Sequence, residues 1–301
     1  MNLFKYMALA VSGAAGLLFV AGVPIQNSVT VVASLSILQS TPTAAAYSGM
    51  VMRVTDGTAG APPMAFLSGS GTCSSVGYTN DGASCVNSSD GNHWLGYFTG
   101  NIYDVRQWSP SCNQPTVDST TALQAAANFT ATRGGVLTVT CGLHIAGTVT
   151  LSSTSAKAGL RLTGLSNMYF PGIEADTSAT SVWPPAAGPY IDCGNSAGTN
   201  CLQVAGQAVE IDHLPLGNTQ PTPGSTFTPT PYGFLIGTVA ANNWGGLYIH
   251  DDSFTAADNC IDLEGNSDYT VDPGNSGAQY RLRAPLDEPL LLRGDQGVPS
   301  R

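Results

Sequence analysis

Four short runs decide the fold of this chain: Ala208-Val-Glu-Ile-Asp212, Gly233-Phe-Leu-Ile236, Gly246-Leu-Tyr-Ile-His250 and Asn259-Cys-Ile-Asp-Leu263. Most alternate apolar with polar residues, the period-two signature of a strand with one buried face. Gly, Asn and Pro punctuate the segments between them. Working outward, the same texture begins at Val136-Leu-Thr-Val-Thr140 and continues through Gly147-Thr-Val-Thr-Leu151, Gly159-Leu-Arg-Leu-Thr163, Pro189-Tyr-Ile-Asp192 and Cys201-Leu-Gln-Val204. Hairpins would require Asn-Gly or Asp-Gly dipeptides at regular spacing, and few are present. Very short strands with connections of unequal length suit the stacked turns of a parallel β-solenoid, in which each strand pairs with its counterpart one turn on. A β-sandwich is the alternative.

Composition agrees with a β-rich, turn-rich protein. The 301 residues include 35 Gly and 19 Pro, 43% are hydrophobic and only 10% charged, which excludes wholesale disorder. A formal net charge of −10 argues against nucleic acid or an anionic membrane surface as partner. No GxSxG, P-loop or dinucleotide fingerprint occurs, so those chemistries have no anchor in the sequence.

Lys5 is followed by the uncharged, mostly apolar run from Tyr6 to Val23, and no further charge appears before Arg53. Residues 1–46 are therefore expected to be an export signal or a membrane anchor, with small-residue cleavage points after Gly22 and Ala46. The remainder is expected to be secreted or at the cell surface. Seven cysteines without a CxxC pair fit an oxidising compartment rather than a zinc site. Cys73 with Cys85, Cys193 with Cys201, and more distantly Cys112 with Cys141 are the candidate disulfides, leaving Cys260. Residues 48–108, with turns at Asn80-Asp-Gly82 and Asp90-Gly-Asn92, predict a small β unit of hairpins. Residues 118–132 predict the one good helix, capped by Asp118 or Ser119 and burying Leu123, Ala126, Ala127 and Phe129. The solenoid is expected over 109–277. Residues 278–301, with four arginines and Pro285, Pro289 and Pro299, are expected to be an irregular tail, one not native to the solenoid.

Asp104-Val-Arg-Gln-Trp108, Asp118-Ser-Thr-Thr-Ala-Leu-Gln-Ala-Ala-Ala127, Gly134-Gly-Val-Leu-Thr-Val139 and Cys141-Gly-Leu-His-Ile145 together resemble the opening of pectate-lyase-like right-handed β-helices. Asn80-Asp-Gly82 and Asp90-Gly-Asn-His-Trp94 are similar to the segment that precedes this opening in tailspike-like members. The pattern departs at Ser109-Pro-Ser-Cys112 and at Thr140-Cys-Gly142. The resemblance implies an all-β, single-stranded right-handed parallel β-helix whose first coil is covered by the 118–132 helix. It also implies action on, or binding to, a polysaccharide, and it admits a homotrimer. Chemistry does not follow from the fold alone.

The densest polar constellation runs from Trp244 to Glu264. With Leu247 and Ile249 inward, Tyr248 and His250 face out, and Asp252 with them. With Ile261 and Leu263 inward, Asp262 and Glu264 face out. Glycoside hydrolysis needs two opposed carboxyl groups. Elimination on a uronate needs a base and a cation, for which calcium is the cofactor to consider. Asp251, Asp252 and Asp258 are the candidate catalytic residues; Trp244, Tyr248, His250, Asp262 and Glu264 are the candidate substrate-binding ones. Ala257-Asp-Asn-Cys-Ile261 is similar to the Gly-Asp-Asp-Cys-Ile segment of polygalacturonase-type hydrolases, with Asn259 in place of the second catalytic Asp. Tyr190, Tyr232, Trp244 and Tyr248 are candidates for a sugar-stacking surface. His93, Trp94, His144 and His213 read as structural. The function expected is a polysaccharide lyase or glycoside hydrolase. The alternatives are a non-catalytic glycan-binding or adhesion module, and an inactive truncated fragment.

Overall fold

The structure, a computed structural model, describes residues 29–43, 51–54, 62–114, 116–152, 159–164, 188–193, 201–204, 208–217, 235–237, 245–250, 252–255, 261–264, 268–271 and 280–283. The chain opens with β1 (Val29–Val32), α1 (Leu35–Ser40), β2 (Val51–Val54), β3 (Met64–Gly69), β4 (Cys85–Asn87) and β5 (His93–Tyr97). Their sheet has the order β1-β2-β3-β5-β4, with β1 and β2 parallel and the rest antiparallel. The small β unit therefore begins at Val29, inside the segment expected to be leader. The β-branched run Val-Thr-Val-Val pairs readily with Val51–Val54, a preference that outweighs its place beside an apolar run. Leu38, Phe66 and Trp94 fill the core, and Trp94 Nε1 donates to the Thr41 carbonyl at 3.2 Å. The Asp90-Gly-Asn92 turn sits between β4 and β5, with Gly91 at a φ of 79° that glycine adopts without penalty. No helix among the described residues is long and apolar enough to cross a membrane.

Next come β6 (Ile102–Asp104) and α2 (Thr120–Arg133). β6 lies within the expected N-terminal unit but pairs in parallel with β7 (Gly135–Thr138), so it starts the larger assembly instead. In α2, Leu123, Ala126, Ala127 and Phe129 are buried as their spacing predicts. Ser119 stands at the N-cap without a side-chain capping bond, its Oγ accepting instead from Ser111 N at 3.1 Å, while the Asp118 carboxylate accepts from Thr120 N at 2.9 Å and Ala146 N at 3.0 Å. Burial alone would push that carboxyl up; the Ala146 and Thr120 donors outweigh it and hold it below the usual range. Phe129 packs among Phe98, Tyr103 and Trp108, and Trp108 Nε1 reaches back to Asp81 Oδ2 at 3.1 Å. Helix and β unit thus share one apolar junction.

The remaining strands are β8 (Gly142–His144), β9 (Val149–Leu151), β10 (Leu160–Thr163), β11 (Tyr190–Asp192), β12 (Leu202–Val204), β13 (Val209–Asp212), β14 (Pro215–Gly217), β15 (Leu235–Gly237), β16 (Gly245–His250), β17 (Ser253–Thr255), β18 (Ile261–Glu264), β19 (Asp268–Val271) and β20 (Tyr280–Arg283). They form three parallel sheets: β19-β16-β13-β10-β7-β6, β17-β14-β11-β8 and β20-β18-β15-β12-β9. The chain visits the sheets in turn, so from β7 to β18 every third strand is a neighbour. In-register aliphatics stack within each sheet: Leu137, Leu162, Ile211 and Ile249 in the first, Leu143, Ile191 and Leu216 in the second. All seven are at most 1% exposed, each contributing about 2 kcal/mol by burial. Tyr280–Arg283 lies in the segment expected to be irregular, yet it pairs with Ile261–Glu264. Its Tyr-Arg-Leu-Arg alternation is a strand pattern that the flanking prolines obscure.

All three expected disulfides form: Cys73–Cys85, Cys112–Cys141 and Cys193–Cys201. The second ties the segment before α2 to the start of β8, where Asn113 N also donates to the Gly142 carbonyl at 2.8 Å. Gly142 leaves room for Tyr190, because a Cβ there would enter the ring of that residue on the adjacent strand β11.

Candidate functional site: a polar ladder on the first sheet

Inward-facing Leu160, Leu162, Val209, Ile211 and Ile249 leave their neighbours on the outer face of the first sheet. Parallel register lines these neighbours up in two rows, Val136–Arg161–Glu210–Tyr248 and Thr138–Thr163–Asp212–His250. Residues dozens of positions apart in sequence become cross-strand neighbours at about 4.8 Å spacing.

Asp212 is the anchor of this face. Its side chain is wholly buried and accepts from Arg161 Nε at 2.9 Å, Arg161 Nη2 at 2.6 Å and Thr163 Oγ1 at 3.3 Å. His213 Nδ1 lies 2.6 Å from Oδ2, brought there by a left-handed φ of 53°. The preceding turn accommodates that conformation through Gly164, where a Cβ would collide with the His213 carbonyl. Burial works to raise the Asp212 carboxyl, but the bonds from Arg161 and His213 outweigh it and hold it below the ordinary range. Asp212 is therefore an ionised strut that aims Arg161, and is closed to any larger molecule.

Glu210 is different. It is about one-third exposed (35%), bonds His250 Nε2 through Oε1 at 3.1 Å, and has Arg161 Nε at 3.5 Å. The rings of Tyr248 and His250 are stacked at 4.2 Å, with His213 edge-on to His250 at 6.0 Å. Beside them Val136, Gly159, Arg161, Glu210 and Tyr248 line an open groove of about 450 Å³. A guanidinium, a carboxylate, an imidazole and a phenol thus meet on one surface.

Oxygen and nitrogen atoms of Glu210, Asp212 and His250 come within 4.8 Å of one another, close enough to hold an ion. The donor set does not suit calcium. The Arg161 guanidinium already supplies the positive charge at Asp212, and a hard cation prefers six to eight oxygens over an imidazole.

No protein-family profile matches the chain, and no curated protein matches it in sequence. Among solved structures, tailspike protein 2 of Escherichia coli O157:H7 bacteriophage CAB120 superposes with a TM-score of 0.54 at 14% identity, over 79% of this chain and 29% of that one. The chain shares the arrangement of parallel strands in that part of the tailspike. It spans less than a third of that relative's length. The tailspike gp49 of Acinetobacter baumannii bacteriophage Fri1, described as a capsular polysaccharide depolymerase, gives a TM-score of 0.40 at 12% identity, over 82% of this chain and 54% of that one.

Against this geometry the sequence-predicted residues divide. Tyr248 and His250 face outward and Ile249 inward, as expected. Asp252 is 2% exposed and accepts from Leu214 N at 2.9 Å, so it braces the turn between β13 and β14 and is not at a surface. Asp262 and Glu264 lie on β18 of the third sheet, a different face from Tyr248 and His250. Tyr190 is 1% exposed on the second sheet and is not part of a stacking surface; its phenol is pushed up to about 12 by burial and by the charge of Asp192. Asp251, Asp258, Trp244, Tyr232 and Cys260 lie outside the described residues. His93 and Trp94 are buried and His144 bonds Asp192 at 2.7 Å, all structural as expected. Arg161, Glu210 and Asp212 were not singled out from the sequence. Their signal was the outward phase of Leu-Arg-Leu-Thr and Val-Glu-Ile-Asp, legible only once the two strands are known to be adjacent.

Proposed function

We propose that this protein is an exported, polysaccharide-acting lyase whose three sheets close into a right-handed β-helix, with its site on the Arg161–Glu210–Tyr248–His250 face. The cyclic order of the sheets and the strong preference for right-handed crossovers between parallel strands support the winding. Three disulfides support an oxidising destination.

The observation that carries the chemistry is the split between the two carboxylates. Glycoside hydrolysis uses two carboxyl groups that both reach the sugar. Of the two carboxylates described on this face, Asp212 is buried under Arg161 and Glu210 is open, beside a guanidinium with donors to spare. That set suits β-elimination on a uronate. Arg161 pairs with the sugar carboxylate and so acidifies the adjacent C5–H. Glu210 takes that proton, the electron pair forms the C4–C5 double bond, and the C4–O bond breaks. His250 in its protonated form gives a proton to the departing oxygen. The Tyr248 ring, stacked on His250, offers an apolar platform for the sugar face.

The test is ultraviolet absorbance of unsaturated uronate during incubation with a panel of uronate polysaccharides, beside reducing-end release. We expect absorbance growth that Glu210→Gln and His250→Ala each lower by about 100-fold or more. Reducing ends without absorbance would replace elimination with hydrolysis. Neither signal across the panel, from folded protein, would leave a glycan-binding module.

A further inference from the structure

A second groove, of about 840 Å³, lies between the N-terminal unit and α2 and shares no residue with the ladder on the first sheet. On its helical wall stand Thr121, Ala125, Asn128 and Thr132, one face of α2 at helical spacing, all short enough to leave the space open. Opposite is Tyr78, carried just after the turn Cys73–Val76, which the Cys73–Cys85 disulfide clamps. At one end is Arg133. Its guanidinium lies 4.5 Å over the Phe129 ring and donates through Nη2 to Tyr78 Oη at 3.1 Å. Arg106 and Arg161 are each paired with a carboxylate, and among the described residues Arg133 is not. The two contacts that Arg133 does make hold it in place without neutralising it.

The other donors on this wall are equally well placed. Gln124 is committed to the β9 backbone at Thr150, through both its amide oxygen and its amide nitrogen, and that nitrogen also donates to Asn128 Oδ1 at 2.9 Å. This commits the Asn128 amide oxygen to Gln124 at the wall of the groove. Asp81, the carboxylate at the groove's edge, is turned to Ala83 N, Ser84 N, Ser84 Oγ and Trp108 Nε1. The volume lies within the range of small-ligand sites. An aromatic wall, amide and hydroxyl donors, and one fixed, unneutralised guanidinium form the recognition set for a sugar acid.

We infer that this groove binds an acidic oligosaccharide, with Arg133 taking its carboxylate and Tyr78, Asn128 and Thr121 contacting the rings. The probes are tetramers of glucuronate, galacturonate and mannuronate, with their carboxyl-reduced neutral counterparts. Binding is read by calorimetry and located by amide hydrogen exchange over 120–133, on the full chain. At least one acidic tetramer is expected to bind and to protect that segment. Carboxyl reduction and Arg133→Gln should each weaken it roughly tenfold, the two losses not adding. Asn128→Asp leaves Arg133 in place but sets a carboxylate in the groove, and should weaken the acidic tetramer more than the neutral one. The inference is overturned if no acidic tetramer protects 120–133, or if folded Arg133→Gln and Asn128→Asp proteins bind as the unaltered chain does. Because exchange over 120–133 reports the groove and not product formation, the result stands or falls independently of the lyase reading.

Discussion

Replacing Arg161 with Met and Asp212 with Asn, singly and together, probes the strut of the proposed site. Arg161→Met strands a wholly buried carboxylate with only Thr163 and His213 for company. Breaking a buried pair from the uncompensated side costs about 3–5 kcal/mol; because the Arg161 end is 41% exposed and screened, the lower end, about 3 kcal/mol, is expected. Asp212→Asn leaves instead an arginine that can turn to Glu210 or to solvent, so about 2 kcal/mol is expected. The double variant should lose about 3 kcal/mol rather than the additive 5, a coupling of about 2 kcal/mol. Urea unfolding at neutral pH measures all three. The pH dependence follows from the depressed Asp212 carboxyl. On acidification the unfolded chain takes up this proton first, near its ordinary value of about 3.9. The stabilisation is therefore complete above that value and is lost as pH falls through the lower folded value. Asp212→Asn should remove this acid-side slope. The reasoning fails if Arg161→Met costs less than Asp212→Asn, or if the two losses simply add.

The disulfides should rank by the loops they close. Separations of 29, 12 and 8 residues for Cys112–Cys141, Cys73–Cys85 and Cys193–Cys201 give about 3.6, 2.8 and 2.5 kcal/mol in the chain-entropy description, so Cys112→Ser/Cys141→Ser should show the largest drop in urea midpoint. Gly142→Ala should cost about 1–3 kcal/mol in the presence of Tyr190 and under about 0.5 kcal/mol in a Tyr190→Ala background; an equal cost in both would mean that the ring is not what the glycine accommodates. In alkali the buried Tyr190 phenol keeps its proton to about pH 12 while the unfolded chain releases it near 10. Stability should thus fall with rising pH between those values, and Tyr190→Phe should flatten the decline; an unchanged decline would show that other groups cause it.

The helix and the aliphatic stack were legible because both rest on local pattern. Leu123, Ala126, Ala127 and Phe129 recur at helical spacing, and Leu-x-Leu or Val-x-Ile runs alternate at the strand period, so burial follows from the chain itself. The first strand was missed because Val29-Thr-Val-Val32 follows an apolar stretch that masks its edge. β14 and β17 were missed because each sets one large apolar residue, Leu216 or Phe254, between residues that read as turn or polar, with no second one to show a period. Asp252 reads as exposed by alternation, but the chain has already turned there and its carboxylate faces the Leu214 backbone.

By itself, then, the sequence determined the strand-rich architecture, the one long helix, the disulfide pairs and the outward phase of Tyr248 and His250. Only the tertiary structure decided that Arg161, Glu210 and Tyr248 share one row, and that Asp262 and Glu264 sit on another sheet. The physical reason is that phase along a strand depends on neighbours two residues away, whereas proximity across a parallel sheet depends on register between strands separated by long crossovers. Connections of unequal length carry no fixed repeat from which that register can be counted.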